Sequence, residues 1–300
     1  MLDLLIRACL FAILAVSLNT IVGYTGILSI GHAAFFGIGA YASGIFAVKF
    51  GAPFWVGILL GLSISSLIGF IIGLPTVRLK GDYLLIMTLG LCEIVNSVIT
   101  NWESVTRGSY GIQKIPVISF AGVNFSSDFS QLGLVLGCLI LLCFLSWLID
   151  TSQFGRILKA IRDNEDAAES LGINTMKYKI VILIFGGIFA SLAGSLYAHY
   201  RTGITPSQFS VEISIWIFCM VILGGVGSIT GCVLGAVLLL FLPEGLAWLR
   251  YTEFFSILTS IMGNKISYHL PMLNQMLYGL LLIAMMIFRP KGMLGKVSVG

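Results

Sequence analysis

Charge is scarce in this chain, which carries 17 basic and 13 acidic side chains in 300 residues. In soluble globular domains about a quarter of the residues are charged and about half are apolar. Here 58% of the residues are hydrophobic and the mean hydropathy is +1.02. These values exclude a soluble globular domain. The net charge of +4 resides in loops and termini, so it bears on membrane topology and gives no support for nucleic-acid binding.

Motifs of nucleotide-binding and catalytic proteins are missing from the sequence as well. It has no GxxxxGK[ST] phosphate-binding loop, so this chain is expected to bind neither ATP nor Mg²⁺ itself. It has no GxSxG turn, no HExxH helix and three widely spaced histidines, which argues against an enzyme. The six cysteines form no CxxC pair and are expected to be packing residues, with no metal site.

Long apolar runs make up most of the chain. A helix needs about 20 apolar residues to cross the hydrocarbon core of a bilayer. Uncharged runs of about this length or more occupy residues 8–48, 50–77, 129–149, 180–200, 213–243 and 266–288, and 83–102 is interrupted by Glu93 alone. We predict an all-α polytopic membrane protein with about 8–10 transmembrane helices, some broken or re-entrant, in a single domain over residues 1–300. No cleavable signal peptide is expected, since the first run contains no cleavage site.

Positive charges indicate which loops face the cytoplasm. Five basic residues assign the 150–179 loop to that side: Arg156, Lys159, Arg162, Lys177 and Lys179. The connector "VRLKGD" (77–82) and the terminal "RPKGMLGK" (289–296) then become cytoplasmic too. The side of the N-terminus stays open, because the 8–48 run fits either two crossings or one crossing with a re-entrant segment.

Two of the apolar runs are interrupted by glycine-rich breaks, "GYTGILSIGHAAFFGIGA" (23–40) and "LGGVGSITGCVLGA" (223–236). Non-helical backbone at membrane depth lies within protein or along a polar cavity, and glycine also permits close helix packing. The breaks are therefore expected either near a translocation pathway or at tight helix contacts. Both contain Gly-x-x-Ser-Ile, starting at Gly26 and at Gly225, which suggests an internal repeat.

Ionisable residues inside the apolar runs are few. Glu93 is the only carboxylate well inside a run, and His32 lies in the first break. Such residues are costly in hydrocarbon and are candidates for function. A structural role stays open for each: a buried hydrogen bond to a neighbouring helix for Glu93, and a satisfied packing role for His32. The chain lacks a ladder of intramembrane acids, which counts against an ion-coupled carrier without excluding it.

The 150–179 loop holds ten of the charged residues. Its apolar residues recur at helical spacing and predict two amphipathic helices of about 10 and 8 residues, joined at Asp163 and Asn164. Asp163 is expected to cap the second helix, and Gly172 to end it in a left-handed conformation. An alanine-rich face ringed by mixed charge suits a groove on a protein partner better than an anionic membrane surface.

The segment "RILKAIRDNEDAAESLGIN" (156–174) resembles the cytoplasmic coupling loop of permease subunits in branched-chain amino acid ABC transporters. Four further segments resemble this family in the same order: "NTIVGYTGILSIGHAAFFGIGAYAS" (19–43), "LKGDYLLIMTLGLCEIV" (79–95), "VILGGVGSITGCVLGA" (221–236) and "RPKGMLG" (289–295). The chain looks like the M-type subunit, which pairs with a related H-type subunit.

The resemblance implies a heteromeric importer in the lipid bilayer of a prokaryotic cell (inner) membrane. Two permease subunits would form the pathway, two cytoplasmic ATPases using ATP and Mg²⁺ would drive it, and an extracytoplasmic binding protein would deliver the amino acid. The loop would dock into an ATPase through Gly155, Arg156, Ala160, Ile161, Glu165, Ala168, Glu169 and Gly172. The translocation pathway would lie near Gly26, Ser29, Gly31, His32, Glu93, Gly224, Gly225 and Ser228.

The transported solute is not identified by the sequence. A permease of the same superfamily for a urea or amide, a sugar or a nucleoside remains the main alternative. An ion-coupled secondary carrier is a weaker one.

Overall fold

The computed structural model describes residues 2–76, 79, 81–120, 123–124, 127–249, 279 and 292–295. Its helices are α1 (Leu2–Thr25), α2 (His32–Phe50), α3 (Phe54–Thr76), α4 (Asp82–Asn101), α5 (Glu103–Thr106), α6 (Asp128–Thr151), α7 (Gln153–Asp163), α8 (Glu165–Ser170), α9 (Thr175–Arg201), α10 (Val211–Gly224) and α11 (Ile229–Leu249). Two antiparallel pairs of two-residue strands complete it: β1 (Ile112–Gln113) with β4 (Gly203–Ile204), and β2 (Ser119–Phe120) with β3 (Val123–Asn124).

Seven helices of the described ranges are long and apolar enough to cross a membrane. They are α1, α2, α3, α4, α6, α9, and α10 together with the 3₁₀ turn Pro206–Phe209 that precedes it. The apolar part of α11, Ile229–Leu242, is shorter. The predicted run at 266–288 lies outside the described residues. The predicted all-α polytopic fold is confirmed.

The bundle has two ends. The loop end carries α7, α8 and the break between α1 and α2, and the distal end carries residues 107–118 and the β1–β4 pair. Asp3 accepts a hydrogen bond from Tyr200 near the end of α9, so the chain begins at the distal end. Helix α1 therefore runs toward the loop end and α2 returns, which shows that the 8–48 run contains two long helices. Helix α11 folds back along α10, with Gly231 against Gly224 and Gly235 against Met220.

Close packing of α2 against α9 forms the centre of the bundle. A Cβ atom on Gly39 would lie 2.0 Å from the carbonyl oxygen of Ser191, and one on Gly194 would lie 2.0 Å from that of Phe36. The Ser195 hydroxyl donates to the carbonyl of Gly39 at 3.1 Å. Small residues thus let the two backbones approach, and van der Waals packing holds helices together where lipid competes for apolar surface.

Replacing Gly39 by Ala should therefore push α2 away from α9 and destabilise the protein by about 1–3 kcal/mol, as overpacking of a core does. The apparent melting temperature in detergent measures this change. Gly137→Ala in α6 is the matched control, because no atom lies within 4 Å of a Cβ built there. Equal melting temperatures for the two variants would contradict the packing argument.

Candidate functional site

The first break, between α1 and α2, has its backbone amides bound by hydroxyl groups of neighbouring helices. The chain leaves α1 at Gly26, which has a φ of 71°. Thr88 Oγ1 of α4 accepts from the Ile30 amide at 3.1 Å, and Ser214 Oγ of α10 accepts from the Ala33 amide at 2.9 Å. Hydroxyls of α4 and α10 thus bind two amides of the break, while Gly26 itself is exposed at the loop end.

The second break, between α10 and α11, is built in a similar way. Gly225 has a φ of 109°, and the Gly227 amide donates to Asn19 Oδ1 of α1 at 2.8 Å. The Ser228 hydroxyl accepts from the Gly231 amide at 3.1 Å, as the Ser29 hydroxyl accepts from an amide two residues on in the first break. The shared Gly-x-x-Ser pattern thus gives each break a positive-φ glycine and a serine that accepts from a nearby amide, three residues on in this break and two residues on in the first. A repeat of whole halves stays a prediction.

The terminal motif closes the second break. The amides of Met293 and Leu294 donate to the carbonyls of Leu223 and Gly224, each at 3.0 Å. These carbonyls belong to the last turn of α10, where they have no N–H donor within the helix. Gly292 makes this approach possible, because a Cβ there would lie 2.5 Å from the Cα of Gly225. Part of the segment that resembled the family at 289–295 thus caps a helix.

The predicted pathway residues fall into two groups. Six of them are buried in the packed interior of this chain: Ser29, Gly31, His32, Gly224, Gly225 and Ser228. A Cβ on Gly224 would lie 2.2 Å from the carbonyl of Gly231, so the structure supplies a packing reason for these glycines. Gly26 and Glu93 are exposed. The pathway role of the two breaks remains a prediction.

Neither ionisable candidate, His32 or Glu93, fully matches the structural role that the sequence left open for it. His32 Nε2 lies 2.7 Å from Ser17 Oγ, but its buried Nδ1 has no hydrogen-bond partner in the described part of the chain. His32 is therefore only partly satisfied. The interpretation of Glu93 as a buried hydrogen-bonding group is wrong within this chain, because its side chain is exposed on the outer face of α4.

The loop at 150–179 forms two helices, whose caps differ from the prediction. Ser152 begins α7 by accepting from the Gly155 amide at 3.2 Å, and Asn164 begins α8 by accepting from the Ala167 amide at 3.0 Å. The prediction that Asp163 caps α8 is wrong. Asp163 ends α7, and its carboxylate pairs with its neighbour Arg162 at 3.0 Å. The helices have 11 and 6 residues, against the expected 10 and 8.

The end of α8 follows the prediction. Gly172 adopts a φ of 83°, its amide donates to the Glu169 carbonyl at 2.9 Å, and the Ile173 amide donates to the Ala168 carbonyl at 3.2 Å. These bonds form a Schellman motif, which needs a left-handed residue and favours glycine there. The role predicted for Gly172 at the helix end is confirmed.

The predicted docking residues separate into an attachment face and an outer face. Gly155, Ile161 and Ala168 are buried against the bundle, and Glu165 pairs with the buried Lys179 at 2.5 Å. The outer face consists of the exposed members Arg156, Ala160, Glu169 and Gly172. The attachment face fixes the two helices on the spans, and the outer face is the part that a partner can reach.

Arg162 connects the loop to the first break, a role that sequence reasoning missed. Its Nη1 donates to the carbonyl of Gly23 in the last turn of α1 at 2.8 Å. Its Cγ lies 3.0 Å from the position of a Cβ on Gly26, so the left-handed glycine also makes room for the arginine stem. A cavity of about 420 Å³ beside this contact is lined by residues of the break, the loop and the start of α4. In the sequence, Arg162 was one positive charge among five.

The fold and these sites define a multi-pass α-helical membrane protein in which a helical loop contacts the break at the end of α1. Comparison with known proteins identifies its family. The family described as branched-chain amino acid transport system / permease component matches residues 1–286, and the chain belongs to that family. The resemblance seen in the sequence is confirmed.

Individual relatives agree with this assignment. The chain is 31% identical to the high-affinity branched-chain amino acid transport system permease protein LivM of Salmonella typhimurium, over 97% of this chain and 69% of that protein. It is 28% identical to the probable LivM permease of Methanocaldococcus jannaschii, over 97% and 92% of the two chains. The fructose import permease protein FrcC of Rhizobium meliloti is 26% identical over 73% of this chain and 63% of its own length.

The pair of Glu165 and Lys179 gives a direct test of how the loop is attached. Glu165→Gln leaves the mostly buried Lys179 charge uncompensated, which should destabilise the attachment of α8 by about 3 kcal/mol. Limited proteolysis of the purified protein should then cut within 152–174 faster than in wild type. Lys177→Gln removes an exposed charge two residues from Lys179 and should leave the cleavage rate unchanged. Equal protection of the loop in both variants would show that the ion pair does not hold it.

Proposed function

We propose that this chain is the transmembrane permease subunit of an ATP-driven importer for branched-chain amino acids. It forms the translocation pathway with a second, related permease subunit. Two cytoplasmic ATP-binding subunits, which use ATP and Mg²⁺, drive the cycle, and an extracytoplasmic binding protein delivers the substrate. The assembly resides in a prokaryotic cell (inner) membrane. ATP hydrolysis belongs to the partner, because this sequence contains no phosphate-binding loop.

The loop end of the bundle is the cytoplasmic end in this proposal. The 150–179 segment carries five basic residues, and cytoplasmic loops are enriched in Lys and Arg. The C-terminal motif is cytoplasmic as well, since Met293 and Leu294 pair with the end of α10 at the second break. The distal end, with the N-terminus and the β1–β4 pair, then faces the binding protein.

One observation supports the coupling role above all. The loop is a helical element that presents an exposed face on one side and contacts the last turn of α1 on the other. Its outer face presents Arg156 and Glu169, and Arg162 on the same element donates to the carbonyl of Gly23. A partner that displaces α7 therefore displaces the last turn of α1 through this hydrogen bond. A bound ATPase can shift the pathway between two states to the extent that it binds one of them more tightly.

Branched-chain amino acids are the favoured substrate class because the LivM relatives match 97% of this chain. A permease for a sugar is the second candidate, since the fructose import permease of Rhizobium meliloti matches 73% of it. Uptake of labelled leucine and of labelled fructose by the reconstituted importer distinguishes the two.

Reversing both exposed charges of the loop tests the docking face. In the double variant Arg156→Glu, Glu169→Lys, transport should fall at least about tenfold while membrane insertion is retained, since like charges then face the ATPase groove. Transport and ATPase activity are measured together in proteoliposomes. Lys177→Glu, an exposed reversal outside the predicted face, is the control. Normal transport by the double variant would reject the docking assignment.

Arg162→Gln tests transmission separately from docking. Its guanidinium reaches the Gly23 carbonyl from the inner side of α7, away from the outer face. The variant should therefore keep the ATPase bound during purification but hydrolyse ATP with several-fold less transport per turnover, since one link between loop and span is lost. Loss of the ATPase from the purified complex would assign Arg162 to docking, and an unchanged ratio of transport to hydrolysis would assign it no role in coupling.

A further inference from the structure

The outward face of α4 carries a polar stripe from its middle to its distal end. Glu93, Ser97 and Asn101 are all exposed and lie four residues apart, so they form one line along the helix. Asn96 and Thr100 border this line and are partly exposed. We call these five residues the α4 stripe.

The rest of the bundle surface shows how unusual this stripe is for a membrane-spanning helix. On α6 the exposed side chains in the middle of the span are apolar: Leu136, Ile140, Leu141 and Phe144. The exposed face of α3 is mostly apolar, with Leu59, Leu67, Phe70 and Ile71, and the hydroxyl of its exposed Ser63 donates to the Leu59 carbonyl at 2.8 Å. These faces suit contact with lipid tails. The α4 stripe does not.

Glu93 makes lipid contact at this face untenable. It is the twelfth residue of the 20-residue α4, about 12 Å from the distal end and about 17 Å from the loop end of the helix. No hydrogen bond or ion pair within the described residues involves its carboxylate. A carboxylate at this depth faces a bundle interior or a water-filled cavity, with a partner that compensates its charge. That compensation has to come from outside the described part of this chain.

The groups around Glu93 differ on its two sides. Toward the distal end the stripe is polar, and Asn101 Nδ2 donates to Ser97 Oγ at 3.1 Å. Toward the loop end the same face carries Leu89 and Ile86, one and two turns from Glu93, with exposed fractions of 37% and 65%. An anionic group is thus placed where a polar face meets an aliphatic one.

We propose that the α4 stripe faces the second permease subunit across the translocation pathway, and that Glu93 binds the ammonium group of the amino acid as it passes. The polar residues toward the distal end line the hydrated entrance, and Ile86 and Leu89 contact the branched aliphatic side chain. This inference rests on the proposed function and specifies the substrate contact within it.

The chemistry of the substrate fits this arrangement. A branched-chain amino acid presents a cation beside an aliphatic group, and a charge-assisted hydrogen bond to a carboxylate offsets the loss of water around the ammonium. A sugar carries no charge and has no need of Glu93. A second copy of this chain is a poor occupant of the face, because a two-fold axis there would bring one Glu93 toward the other. A non-identical permease avoids that repulsion.

Uptake measurements test the role of Glu93. The complete importer, with its partner subunits and binding protein, is reconstituted in proteoliposomes and supplied with labelled leucine. Glu93→Gln should lower kcat/KM for uptake at least about tenfold because the ammonium loses its ionic partner, and Glu93→Asp should recover part of that loss. Asp128→Asn, which neutralises an exposed acid at the distal end of α6, should transport as wild type does. Wild-type kcat/KM for Glu93→Gln would overturn the assignment.

Thiol labelling tests the stripe without relying on transport. In the assembled importer, Ser97→Cys and Asn101→Cys should react with a membrane-impermeant cationic methanethiosulfonate, above the background of the native cysteines. Ile140→Cys on α6 should not react, since that face contacts lipid. An unreactive Ser97→Cys variant would reject the proposal that water reaches the α4 stripe. This result does not depend on whether the Glu93 variants assemble. Absence of leucine uptake by the wild-type importer would instead reject the proposed function, and with it the ammonium contact.

Discussion

A backbone amide left without a hydrogen-bond partner in hydrocarbon is costly, and this constraint governs how the chain can interrupt its helices. The first break lies at the loop end, between two helices that are each long enough to span a membrane, and the second lies against the last turn of α1. Amides of both breaks are bound by groups from elsewhere in the fold. Hydroxyls of Thr88 and Ser214 serve the first break, and the amide oxygen of Asn19 serves the second. Hydrogen bonds to the breaks, as well as apolar packing, therefore constrain the positions of α4, α10 and α1.

Helix α1 is where these requirements meet. It supplies Asn19 to the second break, its last turn ends in the first, and its Tyr24 hydroxyl donates to the Ser146 carbonyl of α6 at 3.1 Å. Through Gly23 it also receives the hydrogen bond from Arg162. In the proposed function, a displacement of the loop would act on a helix that contacts both breaks. Packed interiors respond to such shifts by changing between discrete arrangements, which is what a gated pathway requires.

Much of the fold could be predicted from the sequence because each spanning helix needs a long apolar run and each polar loop interrupts one. The two helices of the loop followed from helical spacing, and their end at Gly172 followed from the need for a left-handed residue. The start of α8 did not, since Asp163 and Asn164 both have capping side chains and lie side by side. In the structure Asp163 is the last residue of α7, and Asn164, in an extended conformation, caps α8.

The sequence by itself determined the class of protein, the approximate spans and the family, because these depend on composition, run length and ordered motifs. The tertiary structure decided which side of each helix is covered. It divided the loop into an attachment face and an outer face, and it brought Arg162 to the end of α1. It also left Glu93 exposed, where the sequence favoured a buried hydrogen bond. The physical reason is that periodicity gives the relative angles of residues around a helix, whereas neighbours distant in sequence determine which of those angles face protein.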